Sequence, residues 1–392
     1  MKFNTTLGAT LLISGCCIGA GMIGLPVMSA AAGFFPSALA MLFCYFFTTV
    51  TGLLLLEATL WFDGQVNLLS IVEFALGKTG KIATLLLFLS LFYCIFVAYM
   101  DGIGALFSEW LALLFHQPVS RTVGIIACVI PVAGLTFLGA RAVDGLNRSL
   151  VLGLIVSYCL LVAIGLPELN TTNLGHINLQ AMFATIPILL ICFGYQNLVP
   201  SLVYYLKKNV AALRFAIIIG NLIPFFVYFL WNAVILGMLP PGYHAFGDKI
   251  TMVTGLLQGK THYLSVIFLV NAFSLLAILT SFLPSAISFV DFLRDGLQNA
   301  VKTKKQETLL LCFFVFFPPF ICAVFYPNLF LKALGFAGGF IDVLLFAILP
   351  AVVVLVGRYC KKISGPYQVR GGCVTPFIVL FLAVLLLVMK VY

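Results

Sequence analysis

Gly19-Ala20-Gly21-Met22-Ile23-Gly24 sets three glycines in six residues, and Pro26 follows at once. As a pattern it reads G-x-G-x-x-G, the fingerprint of a dinucleotide-binding loop. Such a loop must follow a strand, open a helix and precede an acidic residue by about 20 positions. Here the surrounding run from Leu7 to Leu42 is apolar and uncharged, and no acid occurs between Gly24 and Glu57. The nucleotide reading fails. Two readings remain: small residues that let membrane helices pack closely, or a membrane helix unwound to expose its backbone.

The rest of the chain supports a membrane setting. Of 392 residues, 63% are hydrophobic and only 8% charged, against about 25% charged in a soluble domain. Several apolar runs exceed the roughly 20 residues that cross a bilayer as a helix, and they are too long and uniform for barrel strands. Backbone polar groups in lipid must be satisfied within each segment, so the runs are predicted to be helices. The fold class is therefore an all-α polytopic membrane protein, a single transmembrane domain over 1–392. Eleven spans are predicted, at about 7–33, 36–60, 82–114, 121–139, 147–166, 181–205, 213–238, 262–290, 308–326, 332–356 and 374–391. The N-terminal run resembles a signal peptide, but its length predicts that it stays as span one.

Charge sets the orientation. With the N-terminus inside, 16 of the 21 Lys and Arg residues fall in inner segments; Arg121, Lys249, Lys260, Lys332 and Lys390 fall in outer ones. The bias predicts N-in and C-out topology. It also explains the net charge of +9 as inner-leaflet loops facing the lipid bilayer, so no nucleic-acid partner is expected. Eleven cysteines without a C-x-x-C pair indicate neither a disulfide framework nor a metal site. No phosphate-binding loop is present, and His116, His176, His244 and His262 all fall in outer segments. No cofactor and no enzymatic activity are expected.

An unwound span predicts a matching break in a second half. Span six supplies it: Phe193-Gly194-Tyr195 is followed by Gln196-Asn197 and then Pro200. Spans one and six are five helices apart. That spacing predicts an inverted repeat, with repeat one at about 7–166, repeat two at about 181–356, and an extra helix at 374–391.

These residues carry a resemblance. IGAGMIGLP in span one, LLLLE in span two, VDGLNR before span five, CFGYQNLVPSLVYYL in span six, SFLPSAISFVDFLRDGL in span eight and ALGFAGGFIDVLLFAILP in span ten are similar to the hydroxy and aromatic amino acid permeases of bacteria. That family lies within the amino acid–polyamine–organocation superfamily, and the likeness is nearest to its tyrosine carriers. It implies a LeuT-like fold of eleven helices in the inner membrane and proton symport of an aromatic amino acid, tyrosine first. Two departures stand out. Cys16-Cys17 replace a Thr-Thr pair, and Cys192-Phe193-Gly194-Tyr195-Gln196 replace Ser-Phe-Gly-Phe-His, which removes a group that titrates near neutral pH.

The chemistry follows from a zwitterionic cargo. Its carboxylate suits the amides and positive dipole end of the half-helix opening at Cys17, Gly19, Ala20 and Gly21. Its ammonium suits the carbonyls near Cys192, Phe193 and Gly194. The aromatic ring is expected among Phe193, Tyr195, Phe336, Tyr93 and Tyr99, with Gln196 and Asn197 reaching a ligand hydroxyl or, alternatively, joining helices. Intramembrane acids mark ion paths. Glu57 either carries a proton or pairs at the inner interface. Asp101 has no basic neighbour in sequence and is a proton or ligand candidate. Asp342 reads either way, while Asp291 and Asp295 bracket Arg294 as an ion pair. In sodium-coupled members of the fold, hydroxyls at the place of Thr280 and Ser281 hold sodium; the same groups also cap or bridge helices. Tryptophan or mixed aromatic transport, sodium coupling, and a non-transporting sensor are the alternatives. The oligomeric state is open.

Overall fold

The computed structural model describes residues 3–64, 66–238, 264–296 and 304–390. His244, His262, Lys249, Lys260, Lys302 and the first residues of the eighth predicted span lie outside the described residues.

The chain is helical throughout. Span one is two helices, α1 (Phe3–Cys17) and α2 (Gly21–Ala32), bent by 57° at a short break. Span two is α3 (Phe34–Thr59), and Gly33 turns the chain between α2 and α3 at φ +89°. Helix α4 (Leu68–Phe115) starts earlier than the apolar pattern predicts. Its first turns are capped by Asn67, which accepts from the Ser70 amide at 2.9 Å, and Gly77 at φ +72° kinks it before the span proper. Hydropathy alone misses that short amphipathic lead. Helices α5 (Arg121–Leu138) and α6 (Ala140–Gly165) follow.

Span six is three helical pieces: α7 (Leu179–Met182), α8 (Ile186–Cys192) and α9 (Val199–Tyr205). Residues 193–195 leave the helix, and a single 3-10 turn over Gln196–Leu198 restarts it. Both breaks foreseen from the glycines are present. Then come α10 (Val210–Met238), α11 (Leu264–Gly296), α12 (Lys304–Phe325), α13 (Phe330–Cys360) and α14 (Val374–Lys390). Helix α13 is wound wide over Ala337–Asp342 and Leu344–Ile348, as a π-helix.

Among the described residues nine helices are long and apolar enough to cross a membrane, ten when the bent α1–α2 pair counts as one span. The apolar stretch of α14, Val374–Met389, is shorter. The protein is thus a multi-pass membrane protein.

The packing of early and late helices is regular. Helix α1 lies on α10 as α8 and α9 lie on α3; α6 lies on α11 as α13 lies on α4. Helix α4 also meets α11, and α5 meets α12. These pairings persist when spans one to five are exchanged with spans six to ten.

Candidate functional site

The two broken spans meet. A side-chain carbon added at Gly21 would lie 2.4 Å from the Cys192 Sγ, and one at Gly19 would lie 2.2 Å from the Ser281 Oγ. A methyl at either position would force the facing side chain to move, which accounts for two of the three glycines in the opening stretch. Gly24 packs similarly under Leu331 of α13. Small residues here serve close packing and the break together, so the two sequence readings are not exclusive.

Hydrogen bonds fix the break in span one. The Ala20 amide donates to the Ser281 Oγ at 3.2 Å. Met22 and Ile23 donate back three residues, to Gly19 and Ala20, as α2 opens. Ser281 therefore acts as a cap from α11, the role that competes with sodium ligation. Thr280 donates to the Ala277 carbonyl of its own helix at 3.2 Å. Tyr99 of α4 is buried close to Ser281 and Ser285, bringing span three to the same point.

One residue ties both breaks and was not foreseen. Tyr228 of α10 donates to the Cys17 carbonyl at 2.5 Å and reaches the Cys192 carbonyl at 3.3 Å. These are the last carbonyls of α1 and α8, which lack donors within their helices. Its ring stands edge-on to Phe193, centroids 5.6 Å apart. Three positions later, Trp231 donates to the Met22 carbonyl at 3.1 Å. Neither aromatic stands out in a chain with 38 Phe and 14 Tyr; only their partners mark them.

The remaining site candidates divide. Cys17, Gly19, Ala20, Gly21, Cys192, Phe193 and Gly194 converge. Cys16 is exposed although mid-span, and its Sγ reaches the Gly194 carbonyl at 3.8 Å. Tyr195 turns away: its hydroxyl donates to the Thr48 carbonyl at 3.1 Å, in a niche made by Gly52 of α3. Gln196 also faces α3, donating to the Thr51 Oγ1 at 3.2 Å. Asn197 is exposed. Tyr93 donates to the Phe314 carbonyl of α12 at 3.1 Å, remote from the breaks. Phe336 stacks on Phe340 and lines a groove of about 680 Å³ between α8 and Leu386 and Met389 of α14.

The acids have partners that sequence distance conceals. Glu57 and Arg358 form a buried pair at 2.5 Å, 301 residues apart, and the Val369 amide donates to the same carboxylate at 2.7 Å. Of the two sequence readings of Glu57, this arrangement matches pairing with a distant arginine. Asp101 is bonded to Arg121, 20 positions on, and accepts from the Phe330 amide at 2.9 Å. No basic residue neighbours Asp101 in sequence, but Arg121 opens the next helix and folds back onto it. Arg294 bonds Asp291 at 2.8 Å and approaches Glu307 at 3.4 Å. Outside the spans, Lys208 lies 2.6 Å from Asp63, and this partner holds the Asp63 carboxyl below the usual range.

Comparison with known proteins gives a consistent set. The sequence profile of the tryptophan/tyrosine permease family matches residues 2–390. "Tyrosine-specific transport system 1" of Haemophilus influenzae is 30% identical, over 98% of this chain and 96% of its own. The "Tryptophan-specific transport protein" of the same organism is 28% identical, over 97% and 94%. "Glutamine transporter 2" of Aliivibrio fischeri is 28% identical, over 98% of each chain.

Proposed function

The chain belongs to the tryptophan/tyrosine permease family, and from that premise we propose that it is a secondary transporter importing tyrosine with protons across the bacterial inner membrane. The observation that carries this is the meeting of two broken spans, with Gly21 against Cys192 and Tyr228 bonded to both half-helix ends. Broken spans expose amides and carbonyls to a zwitterion at the midplane. The opening of α2 suits the carboxylate, and the 192–194 carbonyls suit the ammonium. Phe193, Tyr228 and Tyr99 supply aromatic surface nearby. The Cys192 carbonyl is shared with Tyr228, which leaves Gly194 as the freer acceptor, opposite Cys16.

The matched neighbours of the two halves support an inverted 5+5 repeat, with α14 appended as an eleventh span and the N-terminus inside. Alternating access is then a rocking of one set of helices against the other around the breaks. Glu57 and Asp101 join distant segments and act as structural pairs in this reading. Similarity to a tyrosine carrier favours tyrosine; the glutamine relative makes a polar amide side chain the second cargo to test.

The test is uptake into proteoliposomes under a pH gradient or a sodium gradient, with labelled tyrosine, tryptophan and glutamine. Accumulation of tyrosine under the pH gradient, with aromatic amino acids as the effective competitors, supports the reading. Binding without accumulation under either gradient refutes it and favours a sensor.

A further inference from the structure

Asp342 differs from Glu57 and Asp101. It lies in the wide turn of α13 and is 6% exposed, yet its Oδ2 has no hydrogen-bond partner. Wide turns of this kind recur at functional sites. The turn is held against span six, because a side-chain carbon at Gly338 would lie 1.9 Å from the Pro187 carbonyl oxygen. This seats Asp342 beside the second break: its Oδ2 lies 3.5 Å from where a side-chain carbon on Gly194 would sit.

A second orphan faces the same space. Gln196 is 2% exposed, and its Nε2 bonds Thr51, but its Oε1 has no partner. Asp342, Gln196, Thr48 and Thr51 line one cavity of about 10 Å³, room for about one water. Two acceptors without a donor between them are costly when buried. A neutral carboxyl supplies the missing donor.

We propose that Asp342 carries the transported proton, and that Gln196 reads its state at the span-six break. When Asp342 is neutral, its O–H donates to the Gln196 Oε1, and Gln196 Nε2 donates to Thr51, as seen. When the proton leaves, the carboxylate accepts from Nε2 after the amide turns over, and the Thr51 hydroxyl, a donor as well as an acceptor, serves Oε1. The proton adds to the carboxylate on one side of the membrane and is released from it on the other. This assigns a purpose to a carboxamide in place of histidine: it does not titrate, but its hydrogen-bonding direction follows a neighbour that does. The other titratable groups near the turn are the Cys16 and Cys192 thiols, Tyr195, and Tyr99 of α4, which lies close to both thiols; Asp101 is held by Arg121 and Glu57 of α3 by Arg358. No ionisable residue occurs between Val374 and Met389 of α14.

The inference rests on the proton-symport reading, and the experiment separates the two. Wild type and Asp342→Asn are reconstituted, and the labelled amino acid that wild type accumulates is followed. A one-unit pH gradient with one proton per cycle supports about tenfold accumulation. Wild type that accumulates nothing under the pH gradient defeats the symport reading itself. With wild type coupled, Asp342→Asn is expected to fall from about tenfold to no accumulation, while exchange of labelled for unlabelled amino acid continues. Accumulation retained in Asp342→Asn overturns the assignment. Accumulation that follows sodium and is lost in Asp342→Asn also overturns it, as a cation site. Should Asp342→Asn lose exchange too or fail to insert, infrared difference spectra of wild type and Gln196→Leu decide. The protonated-carboxyl band must shift between them, and an unchanged band overturns the proposal.

Discussion

Tyr228→Phe removes one oxygen and leaves the ring. The edge contact with Phe193 at 5.6 Å persists, so the loss is confined to the bonds at 2.5 and 3.3 Å to the Cys17 and Cys192 carbonyls. Interhelical side-chain bonds in membranes average about 0.6 kcal/mol and reach about 1.7. A buried carbonyl left without a donor costs about 1–3 kcal/mol, and the Cys17 carbonyl ends a helix with no donor of its own. The bond at 3.3 Å adds little. The expected loss is about 2 kcal/mol, or about 30-fold in the equilibrium it governs. For a chain of this length that lowers the melting temperature in detergent by at least about 2 °C. Tyr158→Phe is the control, because Tyr158 makes one bond of 3.1 Å to the Val227 carbonyl of unbroken α10. Tyr228→Phe should melt lower than Tyr158→Phe and exchange substrate at least tenfold more slowly. Equal melting and unchanged exchange would refute the idea that one hydroxyl joins the two broken spans.

Other outcomes follow from the same contacts. Gly52→Ala places a methyl 2.2 Å from the Tyr195 hydroxyl and should cost about 1–3 kcal/mol by overpacking; Tyr195→Phe in the same chain should recover part of the loss of melting temperature, and full additivity would refute the contact. Glu57→Gln alone leaves Arg358 buried and unpaired and should cost about 3–5 kcal/mol; Glu57→Gln with Arg358→Gln should melt higher than the single variant and keep its pH-driven accumulation. Asp63 has a depressed carboxyl because of Lys208, so its stabilisation is complete above the unfolded value near 4 and disappears as pH falls through the folded one. Melting of Asp63→Asn and wild type should differ slightly at pH 7 and converge in acid, and the difference should shrink in 1 M salt.

Much of the architecture is legible in the sequence because lipid leaves few choices. Apolar length predicts most of the spans, and the glycine cluster of span one and Gly194 with its two carboxamides in span six predict both breaks. The failures share a cause: contacts between segments far apart in the chain. Arg121 and Arg358 read as interfacial charges, yet each folds back on a buried acid. Tyr195 and Gln196 sit in the break but rotate onto α3, since a break frees the backbone while its flanking side chains still follow the turn that restarts at Gln196. Phe336 and Tyr93 are aromatic and mid-span, but they face other helices. Tyr228 has no local mark, because its partners are backbone carbonyls.

That choice of partner bears on how this chain changes over evolutionary time. A hydroxyl that grips carbonyl oxygens is indifferent to the side chains attached to them. The grip itself therefore places no demand on the side chains at positions 17 and 192, which is compatible with cysteine standing at both; packing against Gly21 limits the size at 192. Position 228 has no such latitude: within the twenty amino acids, no other side chain presents a hydroxyl at the end of a rigid ring. Drift should gather at the residues around the junction and spare the single tyrosine that holds it.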